Sequence, residues 1–546
     1  MKRKEKQRIR RFSALLLSLM LICAMSMTAF ATDEGNTTTT TETESDKTAG
    51  VTTHSYTAYQ IFTGKYFDGK LSNIDWGVSA QDKEIQDAIA QALGLSAGAP
   101  LADILAALGD VENETAAANQ LAAAIASKAD KLVAGKPVKD GDPVDPGYYI
   151  VIDTITGTGD GESRNFALLE CIEGTISIKT KTGTVTSDKK VKDVNDSEYD
   201  PTDNAMGTSA DYDIGDEVPF ELTGTVADNF ELFQDAYKFV FHDTESKGLS
   251  FNVNSVKVTI GGNTITSDHY EVVTGDDGRL EPGETFQIIF PNLKEVPGVQ
   301  AGSEIKISYT STLNEDAVIG AAGNDNTMYL EYSNNPYDGD ETGKTPEKKV
   351  IVFTYKVEVN KVNGDPNPQP LEGAGFALYK VDNNYKDENG NIKDDGVLNA
   401  DNSKQNVLNN KTYNKLVANY ENTDGKMTTF SFEGIDDGEY LLVETKTPAG
   451  YNSIEPIAFT VTVDHSTGDL SLKGESVDPT TGEVLLAFTA DENLGTLTRD
   501  VVNKSGSLLP STGGIGTTMF YIIGGVLMVG ACMMLFVRKI MTNEKR

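Results

Sequence analysis

The feature that most constrains this 546-residue chain is a strict alternation of apolar and polar residues, which recurs in short runs through its second half. Val256–Ile260, Glu304–Tyr309 and Phe459–Val463 all change character at every residue, and glycine-containing turns such as Gly261-Gly262 separate such runs. A period of two indicates a strand with one buried face. Many short strands of this kind predict a mainly β chain of tandem Ig-like β-sandwich domains.

The first third of the chain has a different pattern. Residues 81–134 are rich in alanine and carry apolar residues at helical spacing, such as Ile85 and Ile89, between the strand-like segments Ser55–Phe62 and Gly147–Ile152. This arrangement predicts a mixed α/β domain over residues 51–185. The alternating runs then divide into two predicted sandwich domains, 186–348 and 349–506, which agrees with about three domains for this length.

Charge and cysteine content exclude several classes of function. The chain has 82 acidic against 47 basic side chains, a net charge of −35, whereas nucleic-acid binders need dense basic surfaces. We therefore expect no nucleic-acid partner. Cys23 and Cys532 lie in apolar terminal segments, which leaves Cys171 alone in the exported chain, and no CxxC or Cys/His cluster is present in the sequence. We expect no disulfide, metal or cofactor.

The amino terminus has the pattern of an export signal. Residues 1–11 carry seven basic groups and one acid, an apolar run follows over 12–27, and small residues stand at Ala29 and Ala31. This predicts a signal peptide over residues 1–31, cleaved after Ala31, because signal peptidase requires small residues in these places. The polar residues 32–50 are predicted to be a disordered leader.

The carboxyl terminus carries a second export-related pattern over residues 507–546. Its segment 519–537 is an apolar run of 19 residues, long enough for a transmembrane helix, and a basic tail follows it. The run is preceded by an LPSTG motif made of Leu509, Pro510, Ser511, Thr512 and Gly513. This order resembles the LPXTG sorting signal of Gram-positive surface proteins. The resemblance implies that a sortase cuts between Thr512 and Gly513 and that the product is anchored to peptidoglycan.

A buried lysine in the third segment suggests unusual chemistry. Lys361 is in phase with two preceding valines, so its amine should lie inside the sandwich, lose its proton and become a nucleophile. Asn503, in phase with Val501, and Glu444 should also point inward. Attack of the amine on the asparagine amide, with the acid as proton donor, would release ammonia and leave an isopeptide bond.

Four sequence blocks in this segment support that interpretation: VNKVNG, LEGAGFALYK, EYLLVETKTPAGY and VVNKSG. In this order they resemble a CnaB-type domain. The resemblance implies that Lys361 and Asn503 form the bond and that Glu444 catalyses it.

The second segment resembles the isopeptide-forming fimbrial domain that precedes CnaB domains in backbone pilins. The resemblance implies a Lys189–Asn334 bond, with Asp243 as the acid at the end of a central strand. Lys190 and Asn335 remain alternatives, because a shift of one residue moves a side chain to the other face of a strand.

The first segment resembles the amino-terminal domain of Gram-positive backbone pilins through the elements YQIF, LSNIDWG and PGYY. Members of that family end this domain with a strand that carries an acceptor lysine for polymerisation. The matching position is Lys181, although Lys179 and Thr180 replace the Tyr-Pro pair of the family pattern. Lys179 shares the outward face with Lys181, so it remains an alternative acceptor.

These resemblances together imply a Gram-positive sortase-assembled backbone pilin, which is a structural protein and not an enzyme apart from single-turnover bond formation within itself. Its expected partners are sortase, identical subunits and peptidoglycan, with tip or accessory pilins and a host receptor as further possibilities. The expected location is the extracellular surface, anchored to the cell wall. The main alternative is a wall-anchored accessory pilin or a monomeric adhesin.

Overall fold

The computed structural model describes residues 53–506, apart from 68–69, 110–115, 157–161, 163–165, 172–173, 177, 179–182, 201, 234–235, 337–340, 387–388, 396–406, 409–410, 466–469 and 479. The predicted signal peptide with Ala31, the leader and the whole sorting signal with its 519–537 segment lie outside these residues. Among the residues described, no helix is both long enough and apolar enough to cross a membrane.

The amino-terminal domain is a five-stranded antiparallel sheet with helices against one face. The sheet order is β2-β1-β4-β5, and β3 pairs with β1. Apolar residues at helical spacing, including Ile85 and Ile89, pack against Ile61 and Ile150 of the sheet. The elements are β1 (Thr53–Phe67), β2 (Lys70–Trp76), α1 (Lys83–Ala92), α2 (Leu101–Leu108), α3 (Ala116–Ala126), β3 (Lys136–Val138), β4 (Gly147–Thr156) and β5 (Phe166–Cys171).

The second domain is a sandwich of two seven-stranded sheets. One has the order β14-β15-β10-β17-β19-β8 with β18 on β17, and the other has the order β13-β12-β16-β9-β6-β7 with β11 on β16. The strands are β6 (Thr186–Lys192), β7 (Met206–Gly207), β8 (Ser209–Asp211), β9 (Glu217–Thr225), β10 (Phe239–Glu245), β11 (Leu249–Phe251), β12 (Lys257–Ile260), β13 (Asn263–Ile265), β14 (Glu271–Thr274), β15 (Phe286–Phe290), β16 (Glu304–Leu313), β17 (Asn324–Ser333), β18 (Thr342–Lys344) and β19 (Lys348–Phe353).

The third domain packs a four-stranded sheet, β25-β20-β31-β30, on a six-stranded sheet, β24-β21-β26-β27-β28-β29. Its first and last long strands, β20 and β31, are parallel neighbours. The strands are β20 (Tyr355–Asn363), β21 (Gly375–Lys380), β22 (Val407–Leu408), β23 (Lys411–Thr412), β24 (Lys415–Tyr420), β25 (Thr429–Ile435), β26 (Gly438–Lys446), β27 (Ile457–Asp464), β28 (Ser471–Val477), β29 (Val484–Ala487), β30 (Thr489–Asp491) and β31 (Thr496–Asn503).

Short 3-10 helices punctuate the loops at Val78–Ala80, Ala129–Lys131, Asp196–Glu198, Phe230–Leu232, Val253–Ser255 and Leu293–Glu295. The structure confirms a mainly β chain of tandem sandwiches after a mixed α/β domain. One domain boundary moves, because residue 349 lies within β19, which pairs with β17 and β8 of the second sandwich. The third domain therefore begins after Phe353, not at 349.

Candidate functional sites: two buried lysine, asparagine and acid clusters

In the third domain, strand pairing brings the predicted lysine and asparagine to adjacent strands. Lys361 and Asn503 are both fully buried. The parallel register sets Lys361 opposite Val501 and Asn363 opposite Asn503, so the two side chains leave neighbouring strands one pleat apart. Lys361 Nζ donates a hydrogen bond of 2.6 Å to the carbonyl oxygen of Val501, which holds the amine against the strand that carries Asn503.

Glu444 lies at the amide end of this cluster. Asn503 Nδ2 donates to Glu444 Oε1 at 2.8 Å, while Oδ1 of Asn503 is buried without a hydrogen-bond partner among the residues described. The other carboxyl oxygen of Glu444 accepts from Thr447 Oγ1 at 3.1 Å and from the backbone nitrogen of Ile454 at 3.3 Å. These two bonds hold the carboxyl group of Glu444 against the Asn503 amide, the partner expected from the sequence.

Burial favours the reactive form of the amine. Desolvation lowers the pKa of Lys361 to about 8, and the negative charge of Glu444 only partly opposes this shift. An amine with a pKa in this range is neutral in a useful fraction of molecules near neutral pH. The third-domain cluster therefore combines a buried amine with an amide that is hydrogen-bonded to an acid.

In the second domain, the corresponding groups come from opposite sheets. Lys189 of β6 and Tyr309 of β16 face Asp243 of β10 across the core. Lys189 Nζ lies 2.5 Å from Asp243 Oδ2 and 3.0 Å from the Tyr309 hydroxyl, and that hydroxyl donates to the same carboxyl oxygen at 3.1 Å. By contrast, Lys190 is half-exposed and lies 3.6 Å from the carboxylate of Asp188 on the surface. The inward lysine is therefore Lys189.

The surroundings of Lys189 also favour a neutral amine. Its Nζ lies 5.6 Å from the ring centroids of both Phe220 and Tyr309. Desolvation lowers the pKa of Lys189, although the charge of Asp243 opposes this, and desolvation raises the pKa of Asp243 against the opposing charge of Lys189. Both shifts move the pair towards a neutral amine and a neutral acid, the protonation state that amide attack requires.

The structure does not bring Asn334 to this cluster. In β17, Met328 is paired with Asp243, and Asn334 lies beyond the far end of the strand, roughly 20 Å away at 3.3 Å per residue. There its backbone nitrogen bonds to the carbonyl oxygen of Glu341, and the alternative Asn335 donates to the carboxylate of the same Glu341.

A different asparagine occupies the expected place. Asn326 is fully buried, and its Nδ2 donates to the Tyr309 hydroxyl at 2.9 Å, so this amide and the Lys189 amine bond to the same phenol oxygen. Asn326 and Asn334 have the same strand phase, so phase does not distinguish the two asparagines. The missing information was the register between β17 and β10, which sets the level along the strand.

A third buried lysine lies where the second and third domains meet, and the sequence reasoning missed it. Lys380 Nζ donates to Asp196 at 2.9 Å and to Asp213 at 3.1 Å, both in the second domain, and forms a short hydrogen bond to Asp436 in the third. Burial alone would lower the pKa of Lys380, but the charges of Asp213 and Asp436 raise it well above its ordinary value. This lysine stays charged and acts as an ion-pair centre.

A neighbouring ion pair reinforces the same joint. Lys415 Nζ lies 3.0 Å from Asp213 and 3.1 Å from Asp382. His465 of the third domain lies 3.5 Å from Asp193 and 3.6 Å from Asp211 of the second.

The predicted acceptor Lys181 and its alternative Lys179 lie outside the described residues.

Two models of known protein families match stretches of this chain, one in each sandwich. Residues 214–336 match the family model of the Gram-positive pilin backbone subunit 2, Cna-B-like domain, and residues 355–476 match the SpaA prealbumin-like fold domain. Residues 214–336 are therefore similar to a domain of Gram-positive pilin backbone subunits. Such subunits are structural proteins and not enzymes.

Individual relatives cover different shares of this chain. The trypsin-resistant surface T6 protein of Streptococcus pyogenes serotype M6 is 28% identical over 321 residues, which are 53% of this chain and 58% of that protein. Among solved structures, the T6 backbone pilin of S. pyogenes has a TM-score of 0.44 at 18% identity, covering 83% of this chain and 96% of the other. The major pilin SpaD of Corynebacterium diphtheriae has a TM-score of 0.43 at 17% identity, covering 84% and 94%.

Proposed function

We propose that this protein is the backbone subunit of a covalently polymerised pilus on a Gram-positive cell surface, strengthened by an internal isopeptide bond in each sandwich. The observation that carries the proposal is the repetition of one chemical arrangement. Lys361 with Asn503, and Lys189 with Asn326, each combine a fully buried amine and amide beside an acid. An unreacted buried lysine is costly to keep, so two such clusters in tandem suggest a reaction rather than packing.

The proposed bonds link distant parts of each domain. Lys361–Asn503 joins the first and last strands of the third sandwich, with Glu444 as the acid. Lys189–Asn326 joins the first strand of the second sandwich to a central strand of its opposite sheet, with Asp243 beside the amine. Tension along the chain would then pass through covalent bonds. The similar T6 protein is described as trypsin-resistant, and the same property is expected here.

Polymerisation would use the sorting signal at the carboxyl end of the mature chain and a lysine at the end of its first domain. A sortase would cut between Thr512 and Gly513 and transfer the Thr512 carbonyl to the amine of Lys181 on the next identical subunit, with Lys179 as the alternative acceptor. The last subunit would be attached to peptidoglycan. The rival proposal, an accessory pilin or monomeric adhesin, shares the sorting signal but lacks a working acceptor lysine.

The experiment that separates these proposals is an immunoblot of boiled cell-wall extracts. A backbone subunit gives a ladder of high-mass bands, and Lys181→Ala abolishes the ladder without reducing monomer secretion. A ladder that disappears only in Lys179→Ala moves the acceptor by two residues. A single band from the unmodified chain contradicts the backbone role and supports the monomeric alternative.

A further inference from the structure

The second-domain cluster contains a carboxyl group that the scheme above does not use. Glu245 follows Asp243 by two residues on β10, so both side chains leave the same face, and it is paired with Asn326 across β10 and β17. Its Oε1 accepts from Asn326 Nδ2 at 3.3 Å and from Ser311 Oγ at 2.5 Å. Its Oε2 is buried without a hydrogen-bond partner among the residues described.

One acid of this site therefore contacts the amine, and the other contacts the amide. Asp243 bonds to the amine of Lys189, whereas Glu245 bonds to the nitrogen that has to leave from Asn326. The third domain differs, because there the amide nitrogen bonds to Glu444 and the amine bonds to a backbone carbonyl oxygen. A single acid at Asp243 would leave the departing nitrogen without a carboxylic proton donor.

We propose that Glu245 is a second catalytic residue of the second domain, which donates the proton to the departing amide nitrogen of Asn326 while Tyr309 carries the proton released by Lys189. The inference rests on the proposed isopeptide function. It gives Asp243 the separate task of removing the extra proton from the lysine ammonium before attack.

The proton and bond changes balance in this scheme. A bond forms between Lys189 Nζ and Asn326 Cγ, the bond from Cγ to Nδ2 breaks, and Nδ2 leaves as ammonia. The neutral amine brings two protons, of which the new amide keeps one. Glu245 protonates Nδ2, and the proton released by Nζ returns to Glu245 through the Tyr309 hydroxyl and the departing ammonia. Glu245 and Tyr309 both end in their starting states.

The electrostatic setting of Glu245 suits this task. Desolvation, followed by the neighbouring charge of Asp243, raises the pKa of Glu245 to about 7. Desolvation also raises the pKa of Tyr309 well above its ordinary value. A carboxyl group that still holds its proton near neutral pH is an effective general acid, because its pKa matches the working pH. The phenol can relay a proton without ever becoming an anion.

The test follows both bonds in one full-length chain as it folds. Chains recovered unfolded from inclusion bodies are refolded by dilution and quenched with acid at intervals, and the Lys189–Asn326 and Lys361–Asn503 cross-linked peptides are quantified by mass spectrometry. Glu245→Gln should slow the second-domain bond about 100-fold, the lower end of the range for loss of a general acid. The third-domain bond should form at the unmodified rate. Glu221→Gln, a matched change on the surface of the same sandwich, should slow neither.

Two further measurements distinguish proton donation from packing. The rate of the second-domain bond should fall above about pH 7 in the unmodified chain, and this fall should vanish in Glu245→Gln. Glu245→Asp, which keeps an acid, should react faster than Glu245→Gln. Equal rates of Glu245→Gln and the unmodified chain, or of the Asp and Gln variants, overturn the role of Glu245. Failure of the unmodified chain to form the Lys189–Asn326 bond overturns the proposed function itself.

Discussion

At the scale of single residues, the number of surrounding carboxylates decides what a buried lysine does. Lys189 and Lys361 each lie near one or two acids, and desolvation lowers the pKa of both amines. Lys380 is equally buried, but desolvation is outweighed by the charges of Asp213 and Asp436, which raise its pKa. Burial alone therefore does not make a lysine reactive. Lys189 and Lys361 also each have a buried asparagine in the same cluster, whereas Lys380 contacts carboxylates.

The assignment of the second-domain amide gives the first prediction. Asn326→Ala should lose only one ammonia instead of two, because the amide beside Tyr309 and Lys189 is removed and the second-domain bond cannot form. Asn334→Ala is the matched control and should lose both ammonia molecules, since that side chain lies at the far end of β17. Intact-mass spectrometry of the purified chain measures both. Retention of an ammonia by Asn334→Ala instead would restore the original assignment.

The third-domain acid gives a parallel prediction. Glu444→Gln should leave Lys361 and Asn503 unlinked, because the group bonded to the amide nitrogen can no longer supply a proton. The product should be heavier by one ammonia than the mass calculated for the variant with both bonds formed, because only the second-domain bond forms. A peptide map that contains the Lys361–Asn503 cross-link in this variant would show that Glu444 is dispensable.

At the scale of secondary-structure elements, the pairing of β20 with β31 explains why one bond could secure a whole sandwich. These strands begin and end the third domain, and the proposed bond would close a loop of about 140 residues, worth about 5 kcal/mol by the loop-entropy estimate for disulfides. The kinetic effect should be larger, because neither terminal strand can then peel away from the sheet. Local opening that exposes protease sites would be suppressed.

Protease resistance measures that effect. Lys361→Ala should be digested by trypsin faster than the unmodified chain, with the first cuts in the third domain. Lys356→Ala is a fair control, since it removes a lysine from the same strand but lies outside the cluster. N-terminal sequencing of the fragments locates the cuts. Equal digestion of the third domain in Lys361→Ala and Lys356→Ala would argue against a protective bond.

Sequence patterns predicted the elements better than the contacts between them. Alternation placed Lys361 and Asn503 on inward faces, because the side-chain period of a strand is fixed by its geometry. For the second domain it left Lys189 and Lys190 open, and the structure buries Lys189. Alternation did not distinguish Asn326 from Asn334, because both have the same phase and only the register with β10 sets their level. Lys380 ends a strand in the GFALYK block, but its partners Asp196 and Asp213 come from another domain. No local sequence pattern predicts such a long-range contact.

At the scale of the whole molecule, the joint between the second and third domains is held by buried charge. Lys380 makes ion pairs to both domains. In addition, the backbone nitrogens of Asp436 and Asp437 in the third domain donate hydrogen bonds to the carboxylates of Asp213 and Asp211 in the second. Removing one partner of a buried ion pair typically costs 3–5 kcal/mol, because the remaining charges lose their compensation. This joint should therefore transmit force between the sandwiches without bending.

Lys380→Met should loosen that joint. The substitution keeps a long apolar stem but leaves Asp196, Asp213 and Asp436 without their shared cation. We expect faster hydrogen exchange over 195–197 and 434–439 and a broader distribution of interdomain angles by small-angle scattering. Lys411→Met, which removes an exposed lysine paired with Glu439, should change neither measurement. Unchanged exchange in Lys380→Met would mean that the backbone hydrogen bonds hold the joint alone.

The same joint should respond to alkaline pH through His465. Desolvation lowers the pKa of this histidine, but hydrogen bonds and charge from Asp193 and Asp211 outweigh it and raise the pKa to about 10. A folded-state pKa above the unfolded value of 6.5 means that the protonated ring stabilises the fold. That contribution is complete below about pH 6.5 and is lost as the pH rises towards 10.

Urea unfolding of His465→Gln should therefore differ from the unmodified protein most at low pH, with a difference in the free energy of unfolding that shrinks across this window. His269→Gln, a change on an exposed turn, serves as the control. A difference between His465→Gln and the unmodified protein that stays constant from pH 6 to 10 would assign His465 a packing role, with no contribution from its charge.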